Sequence, residues 1–253
     1  MKGIARRLVG CALLTASGLV LGAPEAVLAQ QGGDGFLFRQ PRVTVKFESG
    51  YGILNARSDV FDFTIEQLTV GRRDFDSPYV GGELAVRVTE RWDAALGVGF
   101  QSSSVKSEFR DWVDLDNLPI EQVTDLQLIP LVVSARYYLR ERGRQIGRFA
   151  WIPNGFAPFV GAGIGVVSYS FEQNGDFVDF QTFDVFTDRL HTEGDAFLAR
   201  ASGGVNLSLN KQFVLTAEAR YTLASAEPAN DFSDFDKMDL GGFQLVGGIS
   251  IRF

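Results

Sequence analysis

Lys46, Arg87, Arg136, Arg200, Arg220 and Arg252 each interrupt a run of apolar residues, and so do Glu48, Glu83, Asp93 and Glu218. Residues two apart share one face of an extended strand, so Lys46 falls beside Glu48 and Glu218 beside Arg220. Withdrawn from water, such groups must pair, because an unpaired buried charge costs far more than a paired one. The chemistry this spacing points to is ion pairing in an enclosed space; an ion or solute path is the other reading. Acid–base catalysis would need a group titrating near neutrality. The chain has a single histidine, His191, in Leu190-His191-Thr192-Glu193, and a solvated loop histidine is expected there. No Gly-x-Ser-x-Gly elbow, P-loop or zinc-ligand spacing occurs, and no cofactor is expected. Asp231, Asp234, Asp236 and Asp239 could gather Ca²⁺, yet they lack the D-x-D-x-D-G spacing of a calcium loop.

The elements that must position these groups are strands. From residue 42 onward the hydrophobic period is two. Val43, Val45, Phe47, Tyr51 and Ile53 oppose Lys46 and Glu48; Val80, Leu84, Val86 and Val88 oppose Glu83 and Arg87. Trp92, Ala94, Leu96, Val98 and Phe100 oppose Asp93. The same rule gives segments near 126–139, 157–171, 197–209, 213–223 and 243–253, eight in all. Turns after the second and sixth (Thr89-Glu90-Arg91 and Asn210-Lys211-Gln212) are tight. Links after the first, third, fifth and seventh are long and acidic. Short turns on one side and long loops on the other suit strands that each cross a bilayer. An open sheet in lipid would strand its edge N–H and C=O groups, so the sheet must close. The expected fold is all-β: a closed antiparallel transmembrane β-barrel, an eight-stranded up-and-down meander. Ten strands remain open if the long loops add spanning hairpins. A periplasmic β-sandwich also alternates, but would not sort its loops by parity.

Length and composition agree. The 253 residues have a mean hydropathy of +0.04 and a formal charge of −7. No later run of about 18 apolar residues occurs, which argues against a helical membrane protein, and the acidity argues against nucleic acid as a partner. The chain opens with Lys2, Arg6 and Arg7, an apolar stretch, and Val27-Leu28-Ala29, the three-part pattern of a secretory signal. Cleavage is expected after Ala29, giving residues 1–29 as signal, 30–41 as a short periplasmic segment and 42–253 as the barrel. Cys11 precedes nearly all of the apolar stretch, unlike a lipoprotein cysteine, and leaves with the signal. Removing Lys2, Arg6 and Arg7 leaves 21 of 24 basic residues; removing Glu25 leaves 30 of 31 acidic ones, a mature charge of −9.

Aromatic residues cluster at strand ends, as at bilayer interfaces. Trp92, Tyr137, Phe159, Phe213 and Phe253 are expected to form one girdle. Tyr51, Tyr79, Phe100, Phe171, Phe197, Tyr221 and Phe243 are expected to form the other. The loops mix Phe with Asp, as in Val60-Phe61-Asp62-Phe63 and Asp231-Phe232-Ser233-Asp234-Phe235-Asp236. Packing of Phe between loops, with Asp left wet, is one reading; a surface patch for an extracellular partner is the other. Asn174-Gly175 is a tight-turn dipeptide that could cap a hairpin above the membrane.

Ala157-Pro158-Phe159-Val160-Gly161-Ala162-Gly163-Ile164-Gly165 and Ile129–Leu139 resemble strands of small bacterial outer-membrane barrels, the broad OmpA-, OmpX- and OmpW-like group. The resemblance spans residues 42–253 as a pattern. It implies an integral protein of a diderm bacterium's outer membrane, in contact with lipopolysaccharide and contributing to the cell envelope. Ile249, Ile251 and Phe253 resemble the terminal signal shown to the barrel assembly machinery. No peptidoglycan-binding domain follows, so no cell-wall tether is expected. An OmpW-like channel for small solutes would need a less charged lumen. Outer-membrane enzymes of this general kind use a histidine base. Here Glu193 stands where a deacylase-like serine would be, and a palmitoyltransferase-like site would have to join His191 to Asp76-Ser77. A non-enzymatic barrel with a side-chain-filled lumen is therefore expected, because eight strands leave room for little else.

Overall fold

The computed structural model describes residues 36–253 apart from Leu115, Phe180 and Phe183. The expected signal, Cys11 and residues 30–35 lie outside the described residues. In chain order the elements are β1 (Val43–Leu54), α1 (Asp59–Gln67), β2 (Ser77–Arg87), β3 (Trp92–Val113) and β4 (Pro119–Tyr138), then β5 (Gly143–Ile146) and β6 (Ala150–Pro153). There follow β7 (Phe156–Val178), β8 (Val185–Ser208), β9 (Phe213–Ala226), β10 (Met238–Asp239) and β11 (Gly242–Arg252). Eight of these strands form one antiparallel ring, β1-β2-β3-β4-β7-β8-β9-β11, closed by β11 against β1. Each strand pairs with its sequence neighbours, the up-and-down order. The ten-stranded alternative is not adopted by the described residues.

Alternation decides the two faces. Phe47 is 67% exposed and Ile164 60% exposed, whereas Lys46 is 3% exposed. Side chains two apart project the same way, so one flank of every strand is apolar and outward and the other polar and inward. Leu84, Leu96, Val133, Leu215, Leu223, Leu245 and Ile249 join the outward band. That apolar exterior, around a ring of strands closed on itself, is the surface of a transmembrane barrel. Pro130 has no N–H to donate. The β3–β4 ladder accordingly skips from Val98↔Leu131 to Gln101↔Leu128 without a change of register.

Parity corrects the aromatic girdles. Trp92, Phe213 and Phe253 are exposed at one end and Tyr51, Phe100, Phe197, Tyr221 and Phe243 at the other. Tyr79, Phe159 and Phe171, assigned to the girdles by height, are buried inside instead. Each lies an even number of residues from an inward neighbour (Tyr79 from Glu83, Phe159 and Phe171 from Gly165), so its ring must enter the lumen.

Two hairpins rise beyond the band. β3 and β4 stay paired as far as Val113↔Pro119, and β7 and β8 as far as Val178↔Val185. Asn174-Gly175 does not cap the second hairpin; both residues sit within β7, opposite Val123 and Gln122 of β4. Gly175 is needed there for another reason: its φ is +147°, and a Cβ would lie 2.4 Å from the Glu121 carbonyl oxygen. Between β7 and β8, Asp179 Oδ1 accepts the backbone N–H groups of Gln181 (2.7 Å) and Thr182 (3.3 Å). At the short-turn end, the long link after β4 folds as the β5–β6 hairpin, and Leu37 bridges to Trp151 of β6.

Candidate functional site

The interior is stacked in layers. In the middle, Lys46, Arg136 and Arg220 meet Glu48, Glu83 and Glu218. Lys46 Nζ lies 2.9 Å from Glu48, 3.2 Å from Glu83 and 3.1 Å from Glu218. Arg220 donates both terminal nitrogens to Glu48, each at 2.7 Å, and one of them to Glu218 at 3.0 Å. Arg136 reaches both oxygens of Glu83 at 2.9 Å. The six formal charges cancel, and fork-to-fork pairing of Arg with carboxylate satisfies several donors at once. Such a balanced cluster meets the desolvation cost of burying ions with geometry rather than with solvent.

Tyr79 completes it. Its hydroxyl donates to Glu48 Oε1 at 2.9 Å. The side chain lies across Gly81 and Gly99, where added Cβ atoms would come within 2.5 Å of its hydroxyl and 2.3 Å of its ring. Two glycines in adjacent strands thus make the seat that aims Tyr79 at Glu48.

The other four charged residues expected in the lumen lie elsewhere in it. Asp93 is a register neighbour of Arg87 and Arg136, yet its Oδ2 accepts from Arg142 of the link before β5, at 2.7 Å. Arg200 donates to Thr222 Oγ1, Arg87 to the Thr89 carbonyl and Arg252 to Ser208 Oγ. Arg142 stacks over the Tyr138 ring, 4.4 Å from its centroid. Reading strand faces alone misses it, because a link residue has no strand parity; the arginine-rich composition of that link was its signal.

Toward the long loops, Gln244 donates to Gln101 at 2.9 Å, and above them the lumen turns apolar. Val60 and Phe61 of α1, Phe75, Phe171, Phe232, Met238 and Leu240 are all buried together. Phe61 packs edge-on to Phe75 and Phe171, with centroids 4.9 and 5.8 Å apart, and Phe171 edge-on to Phe232 at 5.3 Å. The first loop is fastened to β3 by Thr69, whose N–H donates to the Glu108 carbonyl, and by Arg110, which donates to the carbonyls of Ile65 and Val70. The acidic partners face outward, as in the exposed Arg72–Asp62 pair.

His191 is not in a loop but within β8, opposite Glu172 of β7 in the hairpin above the band. Its backbone N–H donates to Asp231. Ser77 pairs with Gly52, on β2, which stands diametrically across the ring from β8. Asp76 accepts from the backbone of Leu54. The His191 and Asp76-Ser77 groups are therefore not brought together. Asp231 and Asp239 each accept a backbone N–H, and no cluster of three metal-ligating side chains forms among the described residues.

No protein-family model matches the sequence, and no curated protein is significantly similar to it. Among solved structures, the chain is similar to the N-terminal β-barrel domain of Pseudomonas aeruginosa OprF, at 16% identity over 85% of this chain and 100% of that one, with a TM-score of 0.35. It is similar to Neisserial surface protein A at 12% identity, over 88% and 100%, with a TM-score of 0.46. Against E. coli outer membrane protein W the values are 12%, 85% and 99%, and 0.39. These likenesses concern the arrangement of strands alone.

Proposed function

We propose that this eight-stranded transmembrane barrel is a non-enzymatic outer-membrane protein that contributes to envelope structure and displays acidic, Phe-containing loops to extracellular partners. The observation that carries the reading is the interior: a paired charge cluster and, above it, a packed Phe layer occupy the space a solute would need. The apolar outer band supports residence in lipid, with the long loops facing outward beside lipopolysaccharide and the short turns facing the periplasm. In this reading residues 1–29 direct export. Ile249, Ile251 and Phe253 present the assembly signal from the lipid-facing flank of β11, where Ile249 and Phe253 are both 53% exposed.

The separation of His191 from Ser77 across the ring favours a non-enzymatic role over a lipid-modifying one. His191→Ala is expected to leave the acyl profile of lipid A unchanged by mass spectrometry; a changed profile would restore the enzyme. For the lumen, the decisive measurement is recording in planar bilayers. Purified protein is expected to insert without producing discrete conductance steps. Reproducible steps that vanish after proteolysis would replace the plug with a narrow channel.

A further inference from the structure

Below the charge cluster, at the short-turn mouth, the balance of charge breaks. Arg42, Arg87, Arg142 and Arg252 line one pocket, partly open to solvent, together with the single carboxylate Asp93 that the cluster above does not consume. Asp93 is engaged by Arg142 through Oδ2, and even if its full charge is counted the site keeps a threefold positive excess. Four polar atoms there are buried without hydrogen-bond partners: the donors Arg252 Nη1, Arg142 Nε and Trp151 Nε1, and one acceptor, Asp93 Oδ1. Arg252 is 9% exposed and Trp151 2% exposed, so water does not satisfy them cheaply.

The pocket is built, not left over. Gly143 of β5 makes room for the Trp151 ring, since a Cβ there would lie 2.4 Å from it. The Arg252 guanidinium stands 5.6 Å from the centre of that ring. Backbone bonds between Leu37 and Trp151, 2.9 Å in each direction, hold the hairpin against the segment that leads into β1. Buried cations and orphaned N–H donors around one opening call for a compact ligand that is negative and rich in acceptors.

We infer that this mouth binds a small phosphate-class oxyanion, with Arg252, Arg142 and the Trp151 indole N–H as its principal donors. A tetrahedral dianion offers several acceptor oxygens to guanidinium forks, and charge-assisted bonds of this type are the strong ones. The inference goes beyond the reading of the loops and does not depend on what they bind. Free phosphate and the phosphomonoester headgroup of a lipid at the periplasmic leaflet share this chemistry.

The test uses protein extracted into maltoside micelles, with the Trp151 indole N–H followed by ¹H–¹⁵N NMR and assigned through Trp151→Phe. Sodium phosphate should move that resonance saturably, and sodium chloride at equal ionic strength should not. Affinity should weaken about tenfold in Arg252→Gln, the worth of one charge-assisted bond, and stay unchanged in Arg148→Gln at the exposed hairpin tip. If Arg252→Gln fails to give the heat-modifiable folded form, Arg142→Gln supplies the same comparison from outside the barrel strands. Dihexanoyl phosphatidic acid is the second titrant: response to phosphate places a free anion in the site, response to the lipid alone a headgroup. No saturable shift with either, an equal shift with chloride, or affinity unchanged in both arginine variants would overturn the inference.

Discussion

At the scale of single residues, the interior depends on exact partnership rather than on hydrophobic burial. Glu48 accepts from Lys46, Arg220 and Tyr79 at once. Glu48→Gln keeps the volume but leaves the buried Arg220 facing an uncharged amide. Breaking a buried pair from one side is expected to cost about 3–5 kcal/mol, read as a lower urea midpoint for unfolding from lipid vesicles. Phe47→Leu, one residue away on the lipid face, should change the unfolding free energy by less than about 1.5 kcal/mol. Equal effects would mean that the cluster contributes nothing special. Gly99→Ala tests the seat of Tyr79. The added methyl must displace the ring from Glu48, and a loss of about 1–3 kcal/mol is expected from overpacking.

At the scale of elements, the loops act as parts of the barrel. α1 inserts Val60 and Phe61 over the lumen, so Phe61→Ala removes the centre of the aromatic layer and should destabilise by about 3–5 kcal/mol. Because the charge cluster lies beneath, the same variant is expected to stay silent in planar bilayers; discrete currents would show that the Phe layer was the seal. The tip of the β7–β8 hairpin carries a pH dependence of known sign. The N–H groups of Gln181 and then Thr182 hold the Asp179 carboxyl below its ordinary range. A depressed carboxylate contributes in full above its unfolded value of about 3.9 and loses the contribution as pH falls through the lower folded value. Acidification through that window should make the Gln181 and Thr182 amides exchange faster relative to the rest of the hairpin. Asp179→Asn should show the fast exchange, relative to the same reference amides, already at neutral pH.

For the whole molecule, closure of the ring means that no strand edge can open without breaking an entire ladder. Cooperative resistance to cold detergent follows. The outer-membrane fraction should show a band of altered mobility when unheated and one at the unfolded position after boiling. A protein that stayed dissolved in buffer without detergent, unchanged on boiling, would fit a two-layered sandwich instead. Layering along the axis, from Phe to balanced ions to arginines in excess of carboxylate, also makes the two ends chemically unlike. A ligand arriving from the loop side meets an apolar lid, and one arriving from the other side meets positive charge.

The strand count and the ring were legible in the sequence, because side-chain parity follows from covalent geometry and needs no distant partner. The same rule, applied consistently, would have turned Tyr79, Phe159 and Phe171 inward; assigning aromatics by height alone concealed this. Three-dimensional packing decided the rest. Asp93 pairs with Arg142 and not with either register neighbour, α1 closes the lumen, and Trp151 joins Arg252 at the opposite mouth. Each of these contacts joins a link or loop to a strand far away in sequence. Periodicity constrains neighbours along a strand, whereas such contacts are set by where closing the ring leaves space and charge.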